Sequence, residues 1–194
     1  MPSIENRLII ITAPSGAGKT SITKHLLTTF PGQLSFSVSA ATRKARPDEQ
    51  NGRDYYFISK EEFKQKIQHN EFVEWEMVYE GKYYGTLRSE LQSGWNEHKV
   101  PLLDIDVKGA IHVQQQYPGT SLSLFVEPPS IDELKKRLQS RGTETIESLL
   151  ARVSKASYEL SFKDHFDHSI LNDSLDKAQL EAENIVRQFL ERKQ

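Results

Sequence analysis

At 194 residues with 37% hydrophobic content, the chain has enough apolar material for one globular domain and its core. It contains no cysteine, which excludes a disulfide framework, a thiolate zinc site and a catalytic thiol, and fits a reducing compartment. The formal net charge of -2 argues against a protein that coats nucleic acid, so an anionic ligand must be met by locally clustered basic residues.

Leu8 to Thr12 is a short β-branched run that suits a fully buried strand, and its apolar stretch is far too short for a membrane span or a secretory leader. No targeting or transmembrane segment is expected, and the expected location is cytoplasmic. A helix should follow from Lys19 to about Thr29, ended by Pro31-Gly32. Leu34 to Ser39 alternates as one strand, and Arg43 to Arg53 reads as a polar loop. Ser59 with Glu62 forms a capping-box pattern for a helix over Lys60 to His69. Tyr55 to Ile58 and Phe72 to Tyr84 read as short strands or hairpins on either side of it.

Two further buried strands are expected at Val100 to Ile105 and Ser121 to Val126, implying a parallel sheet. Ser130 with Glu133 opens a helix through Arg141, closed by Gly142, and another helix runs from about Ile146 to Leu160. A last strand at Ser169 to Leu171 precedes an amphipathic helix from Leu175 to Arg192. Strands alternating with helices throughout give an α/β, three-layer architecture.

Ala13, Pro14, Ser15, Gly16, Ala17, Gly18, Lys19 and Thr20 lie between a buried strand and a helix, where a phosphate loop must sit. Glycines let successive N–H groups face an anion, and the helix N-terminus adds partial positive charge. Lys19 can reach terminal phosphates and the Thr20 hydroxyl can ligand Mg2+. Ala13 stands where the general pattern has Gly, which requires a negative φ there. The competing reading is a glycine-rich turn that binds nothing.

Asp104 and Asp106 lie two apart at the C-terminal end of a buried strand, so they can face one cleft. Asp104 is placed to hold the waters of the magnesium ion, while Asp106 could instead merely cap the next helix. Arg43, Lys44, Arg46 and Arg53 gather in one polar loop, Arg137 and Arg141 share a helix face, and Arg152 follows on the next helix. Arginine forks suit phosphate oxygens, and such cations stabilise the loose transition state of phosphoryl transfer. Each could also be an ordinary solvated surface arginine.

Beyond the phosphate loop, the runs FSVSAATRKARP (Phe36 to Pro47), NGRDYYF (Asn51 to Phe57), FVEW (Phe72 to Trp75), YYGT (Tyr83 to Thr86), LDID (Leu103 to Asp106), RLQSRGTET (Arg137 to Thr145) and ILND (Ile170 to Asp173) occur in order. With them the chain resembles the guanylate kinases from about Arg7 to Phe189. The resemblance implies a three-layer P-loop nucleoside monophosphate kinase fold with a parallel core sheet. It places the core at 1–38, 95–129 and 158–194, a GMP-binding insertion at 39–94 and a lid at 130–157. It implies transfer of a phosphoryl group from ATP, with Mg2+, to GMP or dGMP.

Carried over by position, the resemblance sets Arg43, Arg46, Tyr55 and Tyr84 on the GMP phosphate, and Ser39, Glu74, Thr86 and Asp106 facing guanine. Arg137, Arg141 and Arg152 fall on the lid and the ATP phosphates, and Asn172 near the adenine. Thr86 stands where some relatives have Ser, and Lys108 where a neutral amide is common. Two other classes compete: a guanylate-kinase-like scaffold module that binds peptides, which typically lacks an intact phosphate loop, and a kinase for another acceptor such as AMP, dTMP or a phosphorylated sugar. Glu74 with Ser39 and Thr86 favours guanine, whose N1–H and N2–H2 donors suit a carboxylate.

Overall fold

The structure, a computed structural model, describes residues 6–140 and 146–192. Arg141 therefore lies outside the described residues. Strand β1 (Leu8–Thr12) is apolar at four of five positions and fully buried, with Ile9 and Ile11 on one face and Leu8 and Ile10 on the other. It runs parallel to β7 (Val100–Asp104) and to β8 (Ser121–Glu127), and is thus the central strand. With β2 (Leu34–Phe36) and β9 (His168–Leu171) it forms a five-stranded parallel sheet in the order β2-β7-β1-β8-β9.

Helices α1 (Lys19–Thr29) and α7 (Leu175–Glu191) cover one face, where Ile22, Leu26, Ala182 and Val186 meet Ile9 and Leu124. On the other face α3 (Arg88–Asn96) and α4 (Val107–Gln116) bring Leu91, Ala110 and Val113 against Leu8, Ile10 and Phe125. The predicted three layers are therefore present. Each fully buried aliphatic side chain in these interfaces contributes on the order of 1.5–3 kcal/mol.

A second sheet, in the order β4-β3-β6-β5, is built from β3 (Ser39–Ala41), β4 (Tyr56–Phe57), β5 (Phe72–Tyr79) and β6 (Lys82–Leu87). Helix α2 (Lys60–Gln68) packs on it through Phe63, stacked 4.4 Å from Phe72. The expected cap of α2 is made, with Ser59 Oγ accepting from the Glu62 N–H at 3.0 Å. Ser130 Oγ likewise accepts from the Glu133 N–H at 3.1 Å ahead of α5 (Ile131–Ser140). Helix α6 (Ile146–Leu160) lies beside α5 around Leu134, Leu138, Leu149 and Ala156.

One expected element divides. Leu34 to Ser39 reads as a single strand, but the chain leaves the core sheet after Phe36 and joins the second sheet at Ser39. The Ser37 N–H still bonds to Leu102 O at 3.0 Å, whereas the Val38 N–H turns to Glu90 Oε2 of α3 at 2.9 Å. Glu90 Oε1 also accepts from the Tyr56 hydroxyl at 2.8 Å. A single carboxylate thus ends the pairing with β7 and pins the second sheet to the core.

Candidate active site

The strand order reverses direction along the chain on either side of β1, and the phosphate loop follows its C-terminal end. Gly16 and Gly18 hold φ of 96° and 101°, which a side chain would strain. Ala13 stays out of the left-handed region and packs into the core at 5% exposure, so alanine is accommodated there. Asn172 supports the loop from beneath: its Nδ2 donates to Ala17 O at 2.7 Å, and it fills the space a side chain at Gly18 would need. Arg137 donates to Asn172 O at 3.1 Å and pairs with Glu133 at 3.5 Å; it does not line the cleft. Leu138 of α5 packs over Gly16, in the space a side chain there would need.

Lys19 Nζ lies 2.7 Å from Asp104 Oδ1 and donates to Ile105 O at 2.7 Å, at the joint between β7 and α4. Burial works against the ammonium, but the charge and hydrogen bond of Asp104 outweigh it and hold the Lys19 pKa above its ordinary value. Arg152 Nη1 donates to Ser15 Oγ at 2.7 Å and its guanidinium lies 5.2 Å from the Tyr79 ring centroid. Helix α6 thereby touches both the phosphate loop and β5.

Across the cleft, strand register does what the linear sequence could not display. Ser39 of β3 is paired with Thr86 of β6, and Thr86 with Glu74 of β5, so the three side chains form one row on one face. A register shift between Phe72 and Glu74 turns Glu74 to Thr86, leaving Val73 to join the core under α4. The Thr86 hydroxyl donates to Glu74 Oε1 at 2.6 Å. Burial pushes Glu74 up to about 7, with Asp106 and Glu76 adding to the rise and the Thr86 hydrogen bonds opposing it. Asp106 caps α4, its Oδ1 accepting from the Gly109 N–H at 2.9 Å, and lines the same cleft. Capping and a place in the cleft are therefore not alternatives for this residue. Lys108 is exposed and does not line the cleft.

Continuing the Ser39–Ala41 face by two residues brings Arg43 beside Tyr84, whose hydroxyl accepts from Arg43 Nε at 3.1 Å. The guanidinium lies 4.9 Å from the Tyr55 ring and 5.3 Å from that of Phe57. Glu49, not among the residues expected from the sequence, accepts from Arg43 Nη1 and Nη2 at 2.5 and 2.6 Å and from the Arg46 N–H at 2.8 Å. The Arg43 side-chain bond holds the Glu49 carboxyl below its usual range. Arg46 is half exposed, 3.8 Å from Glu49, and Arg53 pairs with Asp54 at the surface. The adjacent acids Asp48 and Glu49 inside an otherwise basic loop are the signal that points here, though it does not choose between them. A cleft of about 810 Å³ runs from Ala13 and Thr20 of the phosphate loop to Ser39, Arg43, Glu74, Tyr84, Asp106 and Lys155. Thr86 is fully buried and does not line it, so of the row only Ser39 and Glu74 face the cleft.

A phosphate loop facing a second polar pocket across one cleft makes this a kinase of the P-loop class. A family model described as Guanylate kinase matches residues 5–189. The chain belongs to the guanylate kinase family. It is 46% identical over 184 residues to the guanylate kinase of Porphyromonas gingivalis, covering 95% of this chain and 98% of that one. It is 47% identical over 186 residues to that of Salinibacter ruber, covering 96% and 98%. Among solved structures, the guanylate kinase from Anaplasma phagocytophilum superposes with a TM-score of 0.77 at 27% identity, over 96% of this chain and 87% of that one.

Proposed function

We propose the following division of labour for the ATP-dependent phosphorylation of GMP to GDP that membership in the guanylate kinase family brings. The single observation that carries the acceptor assignment is the Ser39–Thr86–Glu74 row. The Glu74 carboxylate accepts the N1–H and N2–H2 donors of guanine, and a hydroxyl of the row donates to O6. Adenine would set an unprotonated N1 against the carboxylate, and a buried site of this kind can reject such a base by up to about 10⁴-fold. Asp106 completes the guanine edge. Arg43, Arg46, Tyr55 and Tyr84 take the GMP phosphate, with Glu49 holding the two arginines at their stations.

The phosphate loop from Ala13 to Thr20 cradles the ATP phosphates, with Lys19 and Arg152 supplying positive charge to the transferring group. Arg141 is assigned the same role. Arg137 and Asn172 act on ATP through the loop, by fixing Ala17 and Gly18 from beneath. A divalent ion, Mg2+ in this proposal, neutralises phosphate charge when bound. Thr20 and Asp104 both line the cleft as hard oxygen donors, a set that fits an ion which keeps most of its shell as water and phosphate oxygens. The GMP phosphate is largely a dianion near neutral pH, since its second pKa is about 6, so no general base is required. Within residues 39–94, the GMP-binding segment, the second sheet and α2 are the part that closes while α3 stays packed on the core sheet; 130–157 form the lid, and closure of the two excludes the water that would hydrolyse ATP. dGMP is also accepted.

The test is ADP formation from ATP and Mg2+ with GMP, dGMP, AMP, CMP, UMP and dTMP offered singly. Turnover confined to GMP and dGMP is expected. Turnover on another acceptor overturns the guanine reading of Glu74, and turnover on none would leave the peptide-binding scaffold as the better reading.

A further inference from the structure

Lys155 of α6 belongs to neither pocket as assigned above, yet it meets three separate parts of the molecule. Its Nζ donates to Val78 O of β5 at 3.3 Å and lies 5.1 Å from the Tyr79 ring centroid. It is 3.7 Å from Asp106 Oδ2 at the joint between β7 and α4. Glu159, one turn further along α6, lies 3.3 Å away and is itself only 5% exposed. A lone surface ion pair contributes little, and a lysine that only decorated α6 would need none of these partners. Here the lysine side chain is about three-quarters covered, and its ammonium is shared among the lid helix, the second sheet and the core.

The neighbouring geometry gives the arrangement a direction. Arg152 precedes Lys155 by three residues, on the same face of α6, and bonds to Ser15 of the phosphate loop. The Tyr79 ring receives both cations. The position of α6 is thus fixed at one point by the loop that takes the ATP phosphates and at another by a carboxylate that faces guanine. Asp106 uses its other oxygen to cap α4, so it cannot follow Lys155 without disturbing that helix start.

We propose that Lys155 is a positioning residue that couples the two nucleotide sites: setting α6 against the phosphate loop delivers the ammonium to Asp106 and to the β5–β6 hairpin, and so favours the guanine pocket. This rests on the assignment of the two pockets given above. By linkage, the effect must be reciprocal, so GMP must tighten the ATP site by the same factor.

Calorimetric titration of GMP, with and without a saturating β,γ-imido analogue of ATP and Mg2+, reads the coupling directly. In the unchanged protein the analogue should tighten GMP at least about fivefold, and GMP should tighten the analogue equally. Lys155→Met and Lys155→Gln should bring both factors below about twofold while each binary affinity changes less than about threefold; Lys155→Arg should keep most of the coupling. Normal binary binding with coupling undiminished in the Met and Gln variants overturns the inference, and so does an unchanged protein with no coupling. Loss of binary binding by the unchanged protein would instead count against the pocket assignment. Thermal unfolding of each variant separates either result from a folding defect.

Discussion

At the scale of single residues the proposed guanine pocket turns on where one carboxylate is and whether it is charged. With Glu74 pushed up to about 7, only the ionised form can accept both guanine donors. Guanosine, which has no phosphate to titrate, should therefore bind about tenfold more tightly at pH 8 than at pH 6, and Glu74→Gln should bind weakly at both. The same shift acts on folding with opposite sign. A folded pKa raised from 4.5 to about 7 means that the native protein holds a proton the unfolded chain has released, so stability from this group falls as pH rises through that window. Urea unfolding of Glu74→Gln against the parent should show that fall absent in the variant, with a total on the order of 3 kcal/mol.

The seat of the carboxylate is equally specific. A Cβ at Gly109 would stand 2.5 Å from Glu74 Oε2 and 3.0 Å from its Cδ. Gly109→Ala should raise the KM for GMP about tenfold or more with little change in the KM for ATP, measured in the ADP-release assay. An unchanged KM for GMP would show that the carboxylate can move without cost. The nature of the groups was legible in the chain: Glu74, Ser39, Thr86 and Arg43 stand out there by residue type and motif. Their convergence was not, because it depends on strand register and on an irregularity at Val73 that no local pattern encodes. Gly109 left a faint trace, since glycine in the first turn of a helix gives up helix propensity and asks for a reason.

At the scale of elements, periodicity and punctuation located most strands and helices because many of them are bounded by Pro, Gly or a capping side chain. The division of Leu34 to Ser39 was invisible for a physical reason. Alternation continues across it, and the change of sheet is made by a glutamate more than fifty residues away, which takes the Val38 N–H out of the ladder. Glu90→Ala should leave that N–H and the Tyr56 hydroxyl without their acceptor and cost about 1–3 kcal/mol of stability in chemical denaturation. Faster amide exchange at Val38 than in the parent is expected alongside it. Helix α3, which carries Glu90, starts after Leu87 with no side-chain cap, so no capping pattern in the chain marks its beginning.

At the scale of the whole molecule, the phosphate loop follows a strand of the core sheet and the Ser39–Thr86–Glu74 row lies on the second sheet, the two joined through the Ser37–Val38 crossing and through α3. Small-angle scattering with GMP and the imido analogue together should show a smaller radius of gyration than with either alone. Equal radii in all states would remove closure from the mechanism. Among the described residues no helix is long and apolar enough to cross a membrane.

The nesting of one sheet inside the other also sets an order for how the chain acquires its shape. Pairing Leu34 with Val100 brings together residues 66 apart (100 − 34), and Leu8 with Ser121 residues 113 apart (121 − 8). The β5–β6 hairpin, by contrast, closes through Glu80-Gly81 alone, between Tyr79 and Lys82. Chain closure over such separations costs entropy that a tight turn avoids, so the hairpin should form early and shorten the loop the core must close. Pulse-labelled hydrogen exchange during refolding should find amides of residues 72–87 protected before those of residues 8–12. The part of the protein proposed to read the base would then also be the part that guides the parallel sheet together.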